Sequence, residues 1–176
     1  MLASLRPAVL VSAIFFILLG LAYPLAETGI GQGLFSRQAN GSLTSNGSVL
    51  VGQTWTGPRW FQGRPDADNP MATGGSNLGP RSKTLVQDVR KQIAVLNQEG
   101  ITPTPGLVTT SGSGVDPDIA PADAYAQVNA VARARGLPAA AVRRLVAAHI
   151  IQPQLSFLGS AHINVLQLNE ALARMR

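Results

Sequence analysis

An α+β fold, with one N-terminal transmembrane helix followed by a small mixed α/β domain, is predicted by three features of the sequence. Residues Ala8 to Ala26 carry no charged side chain. Apolar periodicity and Pro/Gly punctuation mark four helices after residue 80, and short apolar runs bounded by turn residues suit brief strands. The expected division is 1–28 for an N-terminal tip and membrane helix, 29–47 for a connector rich in Gly, Asn and Ser, and 48–176 for a soluble domain.

The apolar segment AVLVSAIFFILLGLAYPLA rises about 28 Å as a helix, close to the hydrocarbon thickness of a bilayer. Arg6 precedes it and Glu27 is the first charge after it, so the positive-inside rule places the N-terminus in the cytoplasm and the domain outside. Tyr23 stands where an interfacial aromatic would anchor the far end. Gly20-Leu21-Ala22 also satisfies the small-x-small pattern of a cleaved signal. Both readings export the rest of the chain.

Ser48 to Gln53 and Leu107 to Thr110 are the strand candidates. Leu85, Val89, Ile93 and Leu96 recur at helical spacing over Lys83–Glu99, and Gly100 supplies a stop. A second helix is expected from Pro121 to Gly136, with proline in its first turn. A third starts at Pro138, aligns Val142, Leu145, Val146 and His149, and ends before Pro153. Asn164 caps a fourth, which turns Val165, Leu168 and Leu172 inward.

With aromatics at 5%, 18 glycines and 12 prolines, the core must be built from Val, Leu, Ile and Ala between many turns. The absence of cysteine excludes a disulfide framework, a thiolate zinc site and a cysteine nucleophile. From Glu27 onward there are 13 basic and 9 acidic side chains, dispersed rather than clustered. That pattern argues against nucleic-acid binding and suits a solvated surface able to dock an acidic partner.

Two loops carry the candidate chemistry. Gly74, Gly75, Ser76 and Asn77 begin a Gly-rich stretch that leads into the Lys83 helix, where backbone N–H groups could face a phosphate. The Gly74-x4-Gly79 spacing imitates a P-loop, but Pro80 stands where the lysine should be, so a helix-capping turn is the expectation. The second loop, Ser111 to Asp118, holds Ser111, Ser113 and Asp116, yet neither serine has the Gly-x-Ser-x-Gly frame of a nucleophile elbow. Asp66, Asp68, Asp116 and Asp118 alternate like calcium ligands without continuing into an EF-hand, and His149 and His162 are too far apart to pair on one helix face. Neither a metal nor a catalytic residue is expected. Asn40-Gly41-Ser42 and Asn46-Gly47-Ser48 match the N-glycosylation pattern, which is common by chance. Trp55, Trp60 and Phe61 form the one aromatic cluster and suit a core or hairpin contact.

The order of motifs adds a further indication. Leu5-Arg6-Pro7, Tyr23-Pro24, Gln38-Ala39-Asn40-Gly41-Ser42-Leu43 and Gly52-Gln53 are followed by Trp60-Phe61-Gln62-Gly63-Arg64-Pro65, Gly74-Gly75-Ser76-Asn77-Leu78-Gly79-Pro80 and Val108 to Pro117. Arg133-Ala134-Arg135-Gly136-Leu137 and Asn164 to Asn169 complete the series. Over nearly its full length the chain resembles the C subunit of Kdp-type potassium-transporting P-type ATPases. It departs from that pattern in a shorter segment between Pro65 and Gly74, in Asp118 where histidine is common, and in Ala120 where serine is common.

The resemblance implies a non-catalytic accessory subunit in the bacterial inner membrane, with no cofactor of its own. Its implied partners are a potassium-channel-like subunit, a P-type ATPase subunit and a very small fourth chain. It also implies a catalytic chaperone that raises the ATPase subunit's affinity for ATP. Nucleotide or partner contacts would fall on Gly63, Arg64 and Pro65 and on the two Gly-rich loops. The expected topology puts both Gly-rich loops outside, so direct contact with cytoplasmic ATP would require the opposite orientation or a transient cytoplasmic state. An effect relayed through the membrane helix, or a cap over the external potassium entrance, fits the charge rule better.

Overall fold

The computed structural model describes residues 2–66 and 73–175, which divide into two compact units, 1–43 and 44–176. In the first, helix α1 (Leu2–Ile17) runs through a π-helical turn (Leu18–Ala22) into α2 (Tyr23–Leu34), followed by the short α3 (Ser36–Ala39). Leu5–Leu34 is long and apolar enough to cross a membrane. The π turn has a local cause. Pro24 has no N–H and its ring would press on the carbonyl four residues back, and widening the turn relieves both problems without breaking the rod.

Helix continues past the uncharged stretch, through Glu27 and three glycines, to Leu34. Once a helix is nucleated, each added residue gains a hydrogen bond, which offsets the roughly 1 kcal/mol cost of a glycine. Helix α3 folds back beside Gly31, where a Cβ would meet that of Ala39 at an ordinary contact distance of 4.0 Å. The Gln32 and Asn40 amides join the two helices through bonds of 3.0 and 3.3 Å.

The second unit is helix-rich, and its sheet content is small. Strands β1 (Leu43–Thr44) and β2 (Gly47–Ser48) form one two-stranded ladder where the units meet in sequence. Strands β3 (Asp118–Ile119) and β4 (Ile163–Asn164) form another, antiparallel, pairing Asp118 with Asn164 and Ile119 with Ile163. The helices are α4 (Lys83–Gln98), α5 (Pro105–Val108), α6 (Pro121–Arg135), α7 (Ala139–Ala148) and α8 (Val165–Ala173).

Their ends follow the local chemistry. Ser82 Oγ accepts the Leu85 N–H at the start of α4, and Asn164 Oδ1 accepts the Gln167 N–H at the start of α8. Gly100 (φ +73°) and Gly136 (φ +68°) close α4 and α6 in the left-handed conformation, with Ile101 and Leu137 N–H groups returning to Leu96 and Ala132 carbonyls. Ala120 offers no side-chain cap to α6. Asp123 supplies the return half instead, accepting the Ala120 N–H at 3.1 Å.

Helix α6 lies between two apolar clusters. Val128 and Val131 pack with Phe61, Ile119, Val142, Val146, Ile163, Leu168 and Leu172. Ala130 packs with Leu96, Ile101 and Leu107. At the edge of the first cluster, Trp55 and Trp60 lie 5.1 Å apart, and the Arg135 guanidinium sits 4.6 Å over the Trp60 ring. This aromatic group is a core contact, as expected.

Two strand assignments are corrected. From Ser48 to Gln53 only Ser48 is in a strand; Val49 and Leu50 turn, and Gly52 donates to Val115 O at 2.8 Å. Among the described residues no straight neighbouring strand is there for this run to pair with, and a Cβ on Gly52 would come within 2.5 Å of Asp116 O. Leu107 and Val108 belong to the helical turn α5, because Pro105 pre-sets helical φ at its start. The third helix is also shorter than expected. It ends at Ala148 with His149 as its cap, where Nδ1 lies 2.8 Å from Leu145 O.

Phe61 and Gln62 are buried, and among the described residues no strand lies beside them. Asn169 of α8 accepts the Phe61 N–H at 2.9 Å and donates to its carbonyl at 2.8 Å. Gln127 of α6 does the same for Gln62 at 2.7 and 3.0 Å. Both amide side chains have no exposed surface. Replacing Asn169 by Leu leaves two buried backbone groups unpaired and is expected to cost about 2–5 kcal/mol, lowering the thermal midpoint by roughly 10 °C or more. Gln87→Leu on the exposed face of α4 should change stability by no more than about 0.5 kcal/mol. Circular-dichroism melts of the full chain in detergent measure both.

Candidate functional site

The Phe61–Gln62 clamp delivers the next four residues, Gly63, Arg64, Pro65 and Asp66, to the loop that follows α5. The Asp66 carboxylate accepts the Ser111 N–H at 2.6 Å, the Ser111 hydroxyl at 2.7 Å and the Asp116 N–H at 2.9 Å. Ser111 Oγ in turn accepts the Gly114 N–H at 2.8 Å and lies 3.2 Å from Ser113 Oγ. Arg64 reaches along the same loop. Its guanidinium donates to Thr110 O at 2.8 Å and to Thr109 O at 3.3 Å, and it lies 3.9 Å from the Asp116 carboxylate.

The two Gly-rich loops meet here. Gly74 N–H donates to Ser113 O at 2.6 Å. A Cβ on Gly114 would fall 2.4 Å from Gly74 O, and one on Gly75 would fall 3.0 Å from Gly112 O. Gly114 also has φ +71°, so both space and backbone conformation require glycine there. These contacts account for glycine at positions 75 and 114.

Arg64, Ser111, Ser113, Asp116, Gly74 and Gly75 are therefore brought together. Gly63 packs near Val165, 3.9 Å from where its Cβ would stand, and Pro65 lines the adjoining cleft. Ser76 and Asn77 lie exposed beyond the contact; Asn77 takes a left-handed φ of 54°, and Ser76 Oγ accepts the Leu78 N–H at 3.5 Å. Asp66 is the organising residue, which sequence reasoning read as a solvated turn carboxylate. Its position directly after Gly63-Arg64-Pro65 was the available signal.

Ser111 is buried, and its hydroxyl already donates to Asp66. His149 bonds the carbonyl of its own helix, while His162 lies 3.9 Å from Asp118 with Nδ1 3.0 Å from Ser160 O. Neither imidazole contacts a serine hydroxyl. Among the described residues no group of three His, Asp or Glu could hold a metal ion; Asp68 lies outside them. A cleft of about 420 Å³ adjoins the clamp, with Arg64 and Lys91 facing Asp66, Glu99 and Asp116. Gln62 Nε2 donates to Glu99 across it. These mixed charges, two basic and three acidic, suit loop order and polar contact with another surface.

Asp66→Ala removes three acceptor interactions at once. Amide exchange over residues 109–116 is expected to rise about tenfold or more, while the α6–α8 core keeps its protection. Hydrogen-exchange mass spectrometry of the full chain checks this. Exchange that stays at the wild-type level would show that the loop is ordered without the clamp.

The family model "KdpC: K+-transporting ATPase, c chain" matches residues 5–174. The potassium-transporting ATPase KdpC subunit of Caulobacter vibrioides is 46% identical over 98% of this chain and 93% of its own length. That of Sorangium cellulosum is 48% identical over 98% of both chains, and that of Geobacter sulfurreducens is 45% identical over 96% of both. With the motifs closing on one clamp and similarity running from end to end, the chain belongs to the KdpC family, the c chain of K+-transporting ATPases.

Proposed function

We propose that this chain is a non-catalytic accessory subunit of a high-affinity, ATP-driven potassium uptake complex, held in the bacterial inner membrane by residues 1–28 with its domain on the extracytoplasmic side. It assembles and stabilises the transporter by contact with a potassium-channel-like subunit and a P-type ATPase subunit, together with a very small fourth chain. The observation that carries this reading is the Asp66 clamp. It commits the serines and carboxylates that a hydrolase would need to holding two loops in shape. Arg6 before the apolar helix and Glu27 near its far end support the orientation.

Any influence on ATP affinity is relayed rather than exerted by direct contact. Gly74 and Gly114 N–H groups are bonded within the protein, and Pro80 has none to offer. An external domain is also separated from cytoplasmic nucleotide by the membrane. The clamp residues Arg64 and Asp116 and the neighbouring exposed Ser113 are then surfaces for a partner subunit.

The test is purification of the tagged chain from membranes in mild detergent, with potassium-stimulated ATP hydrolysis assayed on the eluate. A channel-like subunit and a P-type ATPase subunit should elute with it, and activity should fall when this chain is omitted. A lone soluble protein whose N-terminus lies near Ala22 would overturn the reading in favour of a secreted domain.

A further inference from the structure

After α7 the chain leaves the core, turns and returns to β4. Ile151 and His162 exchange backbone hydrogen bonds at 2.9 and 3.1 Å, and Gln154 and Leu158 do the same at 3.1 and 2.9 Å. Between these bridges the loop points apolar side chains at solvent. Leu155 is 76% exposed, Phe157 73%, Leu158 51% and Ile151 43%. From Leu145 to Asn169 the sequence has no Asp, Glu, Lys or Arg to keep this projection in water. Solvent-exposed turns normally carry polar residues; one tipped with leucine and phenylalanine is a contact surface.

The backbone points the same way. Leu155 and Ser156 take φ of +51° and +66°, a conformation that glycine adopts freely and leucine does not. A turn selected only to reverse the chain would carry glycine or asparagine at those positions. Here the strain persists, and its result is the outward display of Leu155 beside Phe157.

The surroundings decide between a bilayer and a protein as the occupant. Beside the hairpin lies a cleft of about 780 Å³ bordered by Asp116, Asp118, Asp123 and Arg64. Asp123 is buried against the start of α6, so the margin presents Asp116 and Asp118 against the Arg64 guanidinium, with His162 3.9 Å from Asp118; the carboxylates exceed the guanidinium by one, although the domain as a whole is basic. Asp118 remains one-third exposed. Anionic lipid headgroups would be repelled there, whereas the basic rim of a protein socket would be attracted.

We propose that the 151–162 hairpin seats this chain on another protein subunit of the potassium-transporting complex. Leu155, Phe157 and Leu158 enter an apolar socket there, whose margin presents basic or N–H donor groups to Asp118. The inference rests on the accessory-subunit reading and names the surface by which it is realised.

The chain contains no cysteine, so Ser156→Cys gives a single site for a benzophenone crosslinker in the purified, assembled complex. Irradiation is expected to join this chain to another subunit of the transporter, identified by mass spectrometry. Leu155→Asp with Phe157→Asp should reduce the co-purifying subunits about tenfold with an unchanged thermal midpoint, whereas Val86→Asp on α4 should leave them at the wild-type level. Adducts only to lipid or detergent, or full retention of partners by the double variant, would overturn the hairpin assignment while leaving the subunit reading intact. A wild-type chain that brings down no transport subunit would overturn both.

Discussion

The peptide groups of Phe61 and Gln62 are held by buried side-chain amides, Asn169 on one residue and Gln127 on the other, and the rest of the domain takes its register from that arrangement. In a larger sheet a neighbouring strand would supply those four bonds. Here the ladders are only two residues long, so helices α6 and α8 supply them. An amide can imitate a strand edge because it presents an N–H donor and a C=O acceptor side by side, as a peptide edge does. Buried and fully paired, it loses little, but a single replacement strands two backbone groups in an apolar core.

Everything toward Asp66 depends on that fixed point. With Phe61 buried and Gln62 tied down, Gly63 to Asp66 have little freedom, and the carboxylate arrives opposite Ser111 and Asp116. Three donors converge on one carboxylate, which makes it a hub for a loop with no regular secondary structure of its own. The glycines opposite serve the same end. Gly75 and Gly114 let the two backbones approach where a Cβ would collide. A cluster that resembles catalytic or phosphate-binding chemistry in one dimension is a structural joint in three.

The apolar hairpin differs in kind. The clamps satisfy every donor they engage, whereas the hairpin leaves its side chains uncovered and its backbone strained. One is a solution complete within the chain, and the other is a surface that calls for a second molecule. An accessory subunit needs both: an internally ordered body, and a face whose stability is completed on assembly.

The sequence by itself determined the elements whose causes are local. The uncharged run from Ala8 to Ala26, the Asn164 cap, the Gly100 and Gly136 stops and the inward stripe of α8 all follow from spacing and side-chain chemistry within one turn or two. So did the family, because its motifs are ordered along the chain. Tertiary structure alone decided matters that depend on distant partners. Ser48–Gln53 reads as a strand, but a strand requires a neighbour, and the one available is an irregular loop. Asp66 looked like one of several solvated carboxylates, because nothing nearby in sequence shows three donors arriving from 45 to 50 residues away. The glycines of the two loops were legible as turn formers, but not as each other's contact surface. Local backbone preference can be written in adjacent residues. Saturation of a hydrogen-bonding group and room for a Cβ are properties of the space around it, which only the folded chain defines.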